Sequence, residues 1–369
     1  MKRVVFVAAN PIDPDPRAEK QIITLKNNGF DVFALGWDRS TNKNVRGSID
    51  NIVVYRKGIK SQFGSGVKNL IPLIKWQFIV LFFLIRNKKM YDIIHAANFD
   101  TVLPSIIVKF LFGKKVIYDI YDFYVESFLV PTKLIRIIKW LDFWAIKNAD
   151  AIILPIEYRK EQIAGSKYKK IEFIHNTPFN IDVFSHRVEE KSSLIITYVG
   201  ILSEDRFLKE MVRIVKKNQN FVLHLAGFGI EEKAIIKEID NASNIYFYGK
   251  VDYIRSLELS AKADVLFCIY NPSIPNHKYS APNKMYEAMM LGKPIIVAKG
   301  TGVDKIVENE EIGLVINYFD SIDVEKALIY LDNNKEERKS MAINSKRAYL
   351  ERYSWNVMEK RLLQLYSDL

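Results

Sequence analysis

Tyr279-Ser-Ala-Pro-Asn-Lys-Met-Tyr-Glu-Ala-Met-Met-Leu-Gly-Lys-Pro-Ile-Ile296 contains a helix, its stop signal and the strand that follows. Pro282 suits a first helical turn, since it has no N–H to leave unpaired there and its φ is already near helical. Gly292 reads as the C-terminal stop, and Pro294 opens a short apolar strand. This αβ unit sets the pattern for the chain. Working back from it, brief runs rich in Val, Ile, Phe and Tyr alternate with longer helical segments, the mark of βαβ units on a parallel sheet. In the second half the strand candidates are Leu194–Val199, Phe221–Ala226, Ile245–Tyr248, Val265–Ile269, Pro294–Val297 and Gly313–Ile316. In the first half they are Arg3–Ala8, Asp31–Leu35, Ile52–Tyr55, Ile93–His95, Lys115–Tyr118 and Ala151–Leu154.

Length agrees with two such series. A chain of 369 residues is long for one domain and comfortable for two. The stretch from His175 to Ser193, with Pro178 and a Glu-Glu-Lys-Ser-Ser run, is the natural joint. The expected division is an N-terminal Rossmann-like domain over 1–176, a linker over 177–192, and a C-terminal Rossmann-like domain over 193–353. The segment 354–369 alternates apolar and charged residues at helical spacing and is expected as an amphipathic helix packing back on the first domain. Asp15 is the expected N-cap of a first helix that starts at Pro16 and runs to Asn28.

Charge and cysteine content narrow the function. The 54 Lys and Arg against 43 Asp and Glu give +11, which favours anionic partners or a simply basic surface. The single cysteine, Cys268, lies in an apolar run and reads as a small core residue, so no disulfide framework or thiolate cluster forms within the chain. The lone cysteine fits a reducing, cytoplasmic compartment, and the opening MKRVVFVAAN, with too short an apolar run for a signal peptide, reads as a buried strand. No zinc ligands, RNP-like strand or basic-aromatic platform supports nucleic-acid binding. The first strand lacks the G-x-G-x-x-G of a nicotinamide site.

Chemistry concentrates at the helix quoted above. Its N-terminus is a ready anion site, and Lys284 adds a full charge in the first turn, which is reasonable if a phosphate sits in front of it. Glu287, three residues on, shares that face. It reads either as a ribose ligand or as one half of an exposed ion pair worth under about 1 kcal/mol.

The block Pro282-Asn-Lys-Met-Tyr-Glu-Ala-Met-Met-Leu-Gly-Lys-Pro294 resembles the donor-binding segment of retaining GT-B glycosyltransferases (glycosyl transferases group 1, family 4-like), a group that builds lipopolysaccharide, capsule and other surface glycans. Further segments resemble the family in order: Asp15-Pro-Arg-Ala-Glu-Lys, Tyr91-Asp-Ile-Ile-His-Ala-Ala-Asn, Ala149-Asp-Ala-Ile-Ile-Leu, Ile174-His-Asn, Tyr198-Val-Gly, Ala226-Gly-Phe-Gly, Tyr248-Gly-Lys-Val and Gly300-Thr-Gly-Val-Asp-Lys-Ile-Val. The resemblance implies an α/β GT-B fold, two Rossmann-like domains with parallel sheets facing an interdomain cleft. It implies a nucleotide-sugar site in the second domain made by Gly200, Arg206, Gly227, Gly229, Lys250, Tyr279, Ser280, Asn283, Lys284 and Glu287. Arg206 stands where the family has a lysine for the diphosphate, and Glu287 where it has the ribose-binding carboxylate. The glycines at 227 and 229 read equally as ordinary turns.

Departures from the family pattern are expected to matter. Tyr279 replaces the first glutamate of E-x7-E, Ile201 replaces an arginine, and Tyr121 stands where a histidine is frequent. Asp119, Asp122, Tyr121 and His95 are the catalytic candidates of the first domain. Either aspartate could orient or deprotonate an acceptor hydroxyl, or simply cap a strand end, and His95 reads as a ligand or a turn residue. No metal or other cofactor is expected: Asp13-Pro-Asp15 reads as turn chemistry, and the five histidines show no ligand spacing. Charge on the leaving diphosphate would be met by Arg206, Lys284 and helix dipoles.

Two segments speak to a membrane. The apolar core of 69–89 is about half the roughly 20 residues needed to span a bilayer. The segment 131–147 mixes Lys and Arg with Leu, Ile, Trp and Phe at helical spacing, as interfacial helices do, though both also suit packing helices. The expected protein is a UDP-sugar-dependent hexosyltransferase acting on a lipid-linked or glycan acceptor, peripheral on the cytoplasmic face of an anionic membrane. A catalytically inactive GT-B partner subunit and a GT-B nucleotide-sugar epimerase are the alternatives.

Overall fold

A computed structural model describes residues 2–43, 45–61, 69–127, 132–181 and 193–369. The chain divides into two compact units: Met1–His175 with Met358–Leu369, and Asn176–Val357. The boundary thus falls at His175, beside the expected joint, and the second unit reaches four residues past 353. Residues 182–192 of the expected linker lie outside the described residues.

The first unit runs β1 (Arg3–Ala8), α1 (Pro16–Asn27), β2 (Asp31–Asp38), β3 (Arg46–Ile49), β4 (Ile52–Gly58), α2 (Leu70–Arg86), β5 (Ile93–Ala97) and α3 (Phe99–Phe112). It continues with β6 (Lys115–Asp119), α4 (Tyr124–Ser127), α5 (Thr132–Asn148), β7 (Ala151–Leu154) and β8 (Ile171–Phe173). These strands form one sheet in the order β3-β4-β2-β1-β5-β6-β7-β8, parallel except for the β3–β4 pair. Asp15 caps α1 as its sequence suggests: its carboxylate accepts from the Arg17 and Ala18 N–H groups, while Glu19 accepts from Asp15 N–H at 2.8 Å. Trp76, Val80 and Leu84 turn one face of α2 into the core, where Trp76 stacks on Trp37 at 5.4 Å.

The second unit runs β9 (Leu194–Ile201), α6 (Leu208–Lys217), β10 (Phe221–Phe228), α7 (Glu232–Ile239), β11 (Ile245–Phe247), α8 (Tyr253–Ala261) and β12 (Val265–Cys268). Then follow α9 (Pro275–Lys278), α10 (Asn283–Leu291), β13 (Ile295–Ala298), α11 (Val303–Glu310), β14 (Gly313–Ile316), α12 (Ser321–Asn333) and α13 (Lys335–Ala348). Its sheet is wholly parallel, in the order β11-β10-β9-β12-β13-β14. Pro282 sits one place earlier than expected, with φ −72° and ψ 133°, as the extended residue ahead of α10; Gly292 ends that helix in the left-handed conformation, φ 61°. The last helix, α14 (Trp355–Ser367), returns to the first unit from Met358 on, where Met358, Leu362, Leu365 and Tyr366 are buried.

Candidate active site

In open α/β sheets ligands bind outside the carboxyl ends of the strands where the strand order reverses. In the second unit that point lies between β9 and β12. Gly200 closes β9 there, and the Lys284 side chain from the first turn of α10 extends under it. The Lys284 ammonium lies over the Tyr198 ring, 4.7 Å from its centroid. Among the described residues no carboxylate stands within ion-pair distance of it. Burial pushes Lys284 below the usual lysine range and Arg206 pushes the same way, against Cys268 and Glu287. The Arg206 guanidinium lies on the Tyr270 ring at 3.6 Å, and its Nη1 is buried without a protein partner. Two cations lie together here, one of them desolvated and the other with an orphaned donor, an arrangement that can hold an anion.

Glu287 does not pair with Lys284; instead the Tyr253 hydroxyl donates to it. Ser280 Oγ, ahead of α10, is buried with no partner, Asn283 is the exposed first residue of that helix, and Tyr279 packs under the Lys278 ammonium at 5.2 Å. Lys250 lies over the Phe228 ring at 5.1 Å. The glycines have reasons inside the fold. Gly200 and Gly227 are partners in the β9–β10 register, and a Cβ on Gly227, φ +147°, would strike the Gly200 carbonyl. A Cβ on Gly229 would strike the Leu202 carbonyl in the same way.

In the first unit the reversal lies between β1 and β5. Asp119, His95, Tyr121 and Asp122 do gather near it, but in two different environments. Asp119 exposes no surface. It accepts from Arg17 Nη2 at 2.7 Å and Nε at 3.3 Å, from Gln21 Nε2 at 2.8 Å, and faces His95 Nε2 at 3.3 Å. Burial pushes Asp119 up, but Arg17 and His95 together outweigh it and hold the carboxyl below its usual range. His95 is equally interior: its ring stacks on Phe6 at 4.3 Å and Nδ1 lies 2.7 Å from the Tyr366 hydroxyl of α14. Burial pushes the imidazole down, against the hydrogen bond and charge of Asp119. Both Asp119 and His95 are thus parts of an internal ion network, and neither exposes any surface.

Asp122 is different. Its side chain is 37% exposed and one oxygen accepts from Arg159 Nη2 at 2.9 Å. Asn98 Oδ1 receives the N–H groups of Tyr121 and Asp122, at 2.8 and 3.3 Å, and so fixes the chain that carries them. The Tyr121 hydroxyl is buried and unpartnered, with the Arg17 guanidinium 5.0 Å from its ring centroid. Asp13 and Asp15 belong to the turn after β1, Asp13 pairing with Lys43 at 3.1 Å and Asp15 capping α1.

The profile of the family described as glycosyl transferases group 1 matches residues 181–348. The second unit is thus similar to glycosyl transferases group 1. Over its whole length the chain has the GT-B fold. It is similar to sucrose-phosphate synthase from Thermosynechococcus elongatus, with a TM-score of 0.78 at 14% identity, covering 100% of this chain and 99% of that one. It is also similar to Anabaena HepE solved with UDP-glucose, with a TM-score of 0.71 at 15% identity and 100% of both chains covered. Among curated sequences it resembles an uncharacterized glycosyltransferase of Methanocaldococcus jannaschii, 23% identical over 58% of this chain and 53% of the relative. Alpha-D-kanosaminyltransferase of Streptomyces kanamyceticus is 20% identical over 63% of this chain and 64% of its own. The matched part thus spans between half and two thirds of these relatives.

Sequence reasoning missed several residues that shape the two units. Tyr270, Asp205 and His277 surround Arg206, and Arg17, Gln21 and Tyr366 surround Asp119. Arg17 and Tyr366 are far from Asp119 in sequence, and no local pattern announces such a meeting.

Proposed function

We propose that the chain is a glycosyltransferase that moves a sugar, with retention, from a nucleoside-diphosphate sugar to a lipid-linked or glycan acceptor at a membrane surface. The observation that carries this is the pair of cations at the end of β9: Lys284 without a carboxylate and Arg206 with an open, buried Nη1. A diphosphate would satisfy both, with the N-terminal N–H groups of α10 adding to them. As the leaving group departs, its growing charge would be met by groups already in place, which is electrostatic stabilisation without reorganisation and needs no metal or other cofactor. UDP is the favoured nucleotide, in keeping with the UDP-glucose complex of HepE. Glu287 would hold the ribose, and Lys250, Tyr279, Ser280 and Asn283 would line the rest of the donor site. In the first unit Asp122 is the carboxylate left to orient or deprotonate the acceptor hydroxyl.

Membrane contact is the second part of the proposal. The outer face of α2 exposes Ile71, Ile74, Phe78 and Phe82; α3 adds Phe110 and Leu111, and α5 adds Ile137 and Trp140. α3 packs against both α2 and α5, and Lys75, Arg136 and Lys139 stand exposed among these residues. Such a face suits the headgroup layer of anionic lipid, on the cytoplasmic side for a surface-glycan enzyme. No described helix is long and apolar enough to cross a membrane.

The test is a thermal-shift panel of UDP, GDP and their sugars, with and without Mg2+, on wild type and Glu287→Ala. One donor should stabilise the wild type without metal and lose that effect in the variant. A panel with no shift at all would move the assignment to a non-catalytic GT-B subunit.

A further inference from the structure

Arg206 owes its position to a neighbouring carboxylate that is held mainly from elsewhere. Its Nε lies 3.3 Å from Ser203 Oγ and 3.6 Å from Asp205 Oδ2, the latter too long for a good hydrogen bond. The same Asp205 oxygen lies 2.8 Å from His277 Nε2, on α9. His277 is buried; its ring packs on Tyr270 at 5.3 Å and its Nδ1 lies 3.2 Å from the Asn271 carbonyl. The Asn271 N–H in turn donates to the Asp205 carbonyl at 3.1 Å. Three segments, those after β9 and β12 and the short α9, therefore meet around one carboxylate.

Hydrogen-bond accounting gives this arrangement a direction. Both ring nitrogens of His277 face acceptors, and a neutral imidazole has only one N–H to give, so the protonated ring is the form that satisfies both. Burial pushes Asp205 up, but His277, Ser203 and Arg206 together hold it well below the usual carboxylate range. While His277 takes up that charge, Arg206 can stay flat on Tyr270. With His277 removed, the nearest remaining cation for Asp205 is Arg206, and closing that 3.6 Å gap would turn the guanidinium away from the β9 end.

We propose that His277 and Asp205 are positioning residues for the diphosphate of the donor: they hold Arg206 on the Tyr270 ring with Nη1 open to a phosphate oxygen. This rests on the assignment of Arg206 to the diphosphate. The other titratable groups around the cluster are Tyr198, Tyr270, Tyr318, Lys284, Glu204 and Glu210. Burial raises the three phenols, so they stay neutral at working pH, and it pushes Lys284 down.

The experiment measures affinity for UDP, GDP and the matching monophosphates by calorimetry at a single pH near neutrality. It uses wild type, Arg206→Ala, His277→Gln and Asp205→Asn. Arg206→Ala should lower the ratio of diphosphate to monophosphate affinity about tenfold or more. His277→Gln should lower the same ratio severalfold. Asp205→Asn provides the second variant should His277→Gln fail to fold, and should also lower the ratio. A ratio that falls in Arg206→Ala but is unchanged in both other folded variants overturns the positioning role. A ratio unchanged in Arg206→Ala, or a wild type that binds neither diphosphate, overturns the donor-site assignment itself.

Discussion

Arg17 and Asp119, 102 positions apart, form a two-pronged ion pair inside the first unit, with Nη2–Oδ1 at 2.7 Å and Nε–Oδ2 at 3.3 Å. Removing one partner of such a pair leaves a buried charge uncompensated, which costs far more than the pair gains over an apolar replacement. Arg17→Ala is therefore expected to destabilise the first unit by about 3–5 kcal/mol, read as a lower urea midpoint. Arg17→Met with Asp119→Leu should lose much less. A loss below about 1 kcal/mol in the single variant would mean the pair is solvated.

Asp142 on α5 gives the opposite sign. It exposes no surface, one oxygen accepts from the Tyr118 hydroxyl at 2.8 Å, and the other has no partner. Burial pushes its pKa up to about 7, against the Tyr118 hydrogen bond. The unfolded chain ionises this carboxyl near the ordinary value of about 4, while the folded chain keeps the proton. Folded stability therefore falls as pH rises from about 4 to about 7, on the order of 4 kcal/mol in all. Asp142→Asn removes that penalty. Its stability relative to wild type should climb through this window and level off above pH 7, measured by urea unfolding at pH 5 and pH 8. A difference that does not change with pH would show that Asp142 ionises normally.

Two glycines in the same register should fail in different ways. At Gly227, φ +147°, an added Cβ meets the backbone carbonyl of Gly200, which cannot move aside without parting β9 from β10. At Gly200, φ +153°, it meets the flexible end of Lys284. Both substitutions strain the backbone, but only the second acts mainly on a side chain that can swing away. Gly227→Ala is expected to lower the melting temperature by several degrees. Gly200→Ala should melt closer to wild type and weaken UDP binding severalfold by displacing Lys284. Equal melting temperatures in the two variants, with UDP binding intact, would contradict this reading of the β9 end.

These contrasts also show what could be read from sequence. Strands buried on both faces announced themselves as apolar runs, and β1 and β7 fall where their residues place them. The strands missed, β3 and β8, are the two edges of the first sheet; RGSI and IEF are short and half-exposed, so no apolar run marks them. Lys284 and Arg206, singled out through the family pattern, do lie together near the end of β9. For Asp119 and His95, residue type at a strand end does not say whether the side chain turns inward. That choice was made by Arg17 and by Tyr366 of the last helix, residues distant in sequence.

The outer face of α2 makes the strongest case for lipid. Ile71, Ile74, Phe78 and Phe82 follow helical spacing and are 48–67% exposed, while the inner face already buries Trp76, Val80 and Leu84. A helix apolar on both faces leaves a surface that water does not favour, and an exposed patch of this kind marks an interaction site. Burying a phenylalanine side chain is worth about 1.5–3 kcal/mol, so Phe78 and Phe82 together can change a partition coefficient by two orders of magnitude or more. Phe78→Glu with Phe82→Glu should therefore abolish co-sedimentation with vesicles holding phosphatidylserine in phosphatidylcholine, with melting temperature and UDP affinity unchanged. Replacing exposed Arg136 and Lys139 by glutamine should weaken binding to the same vesicles more at low salt than at high salt, because screening already removes the electrostatic share. Binding that survives the double glutamate variant would exclude this face as the docking surface. Binding lost in that variant but insensitive to both salt and the α5 cations would assign the contact to apolar insertion alone.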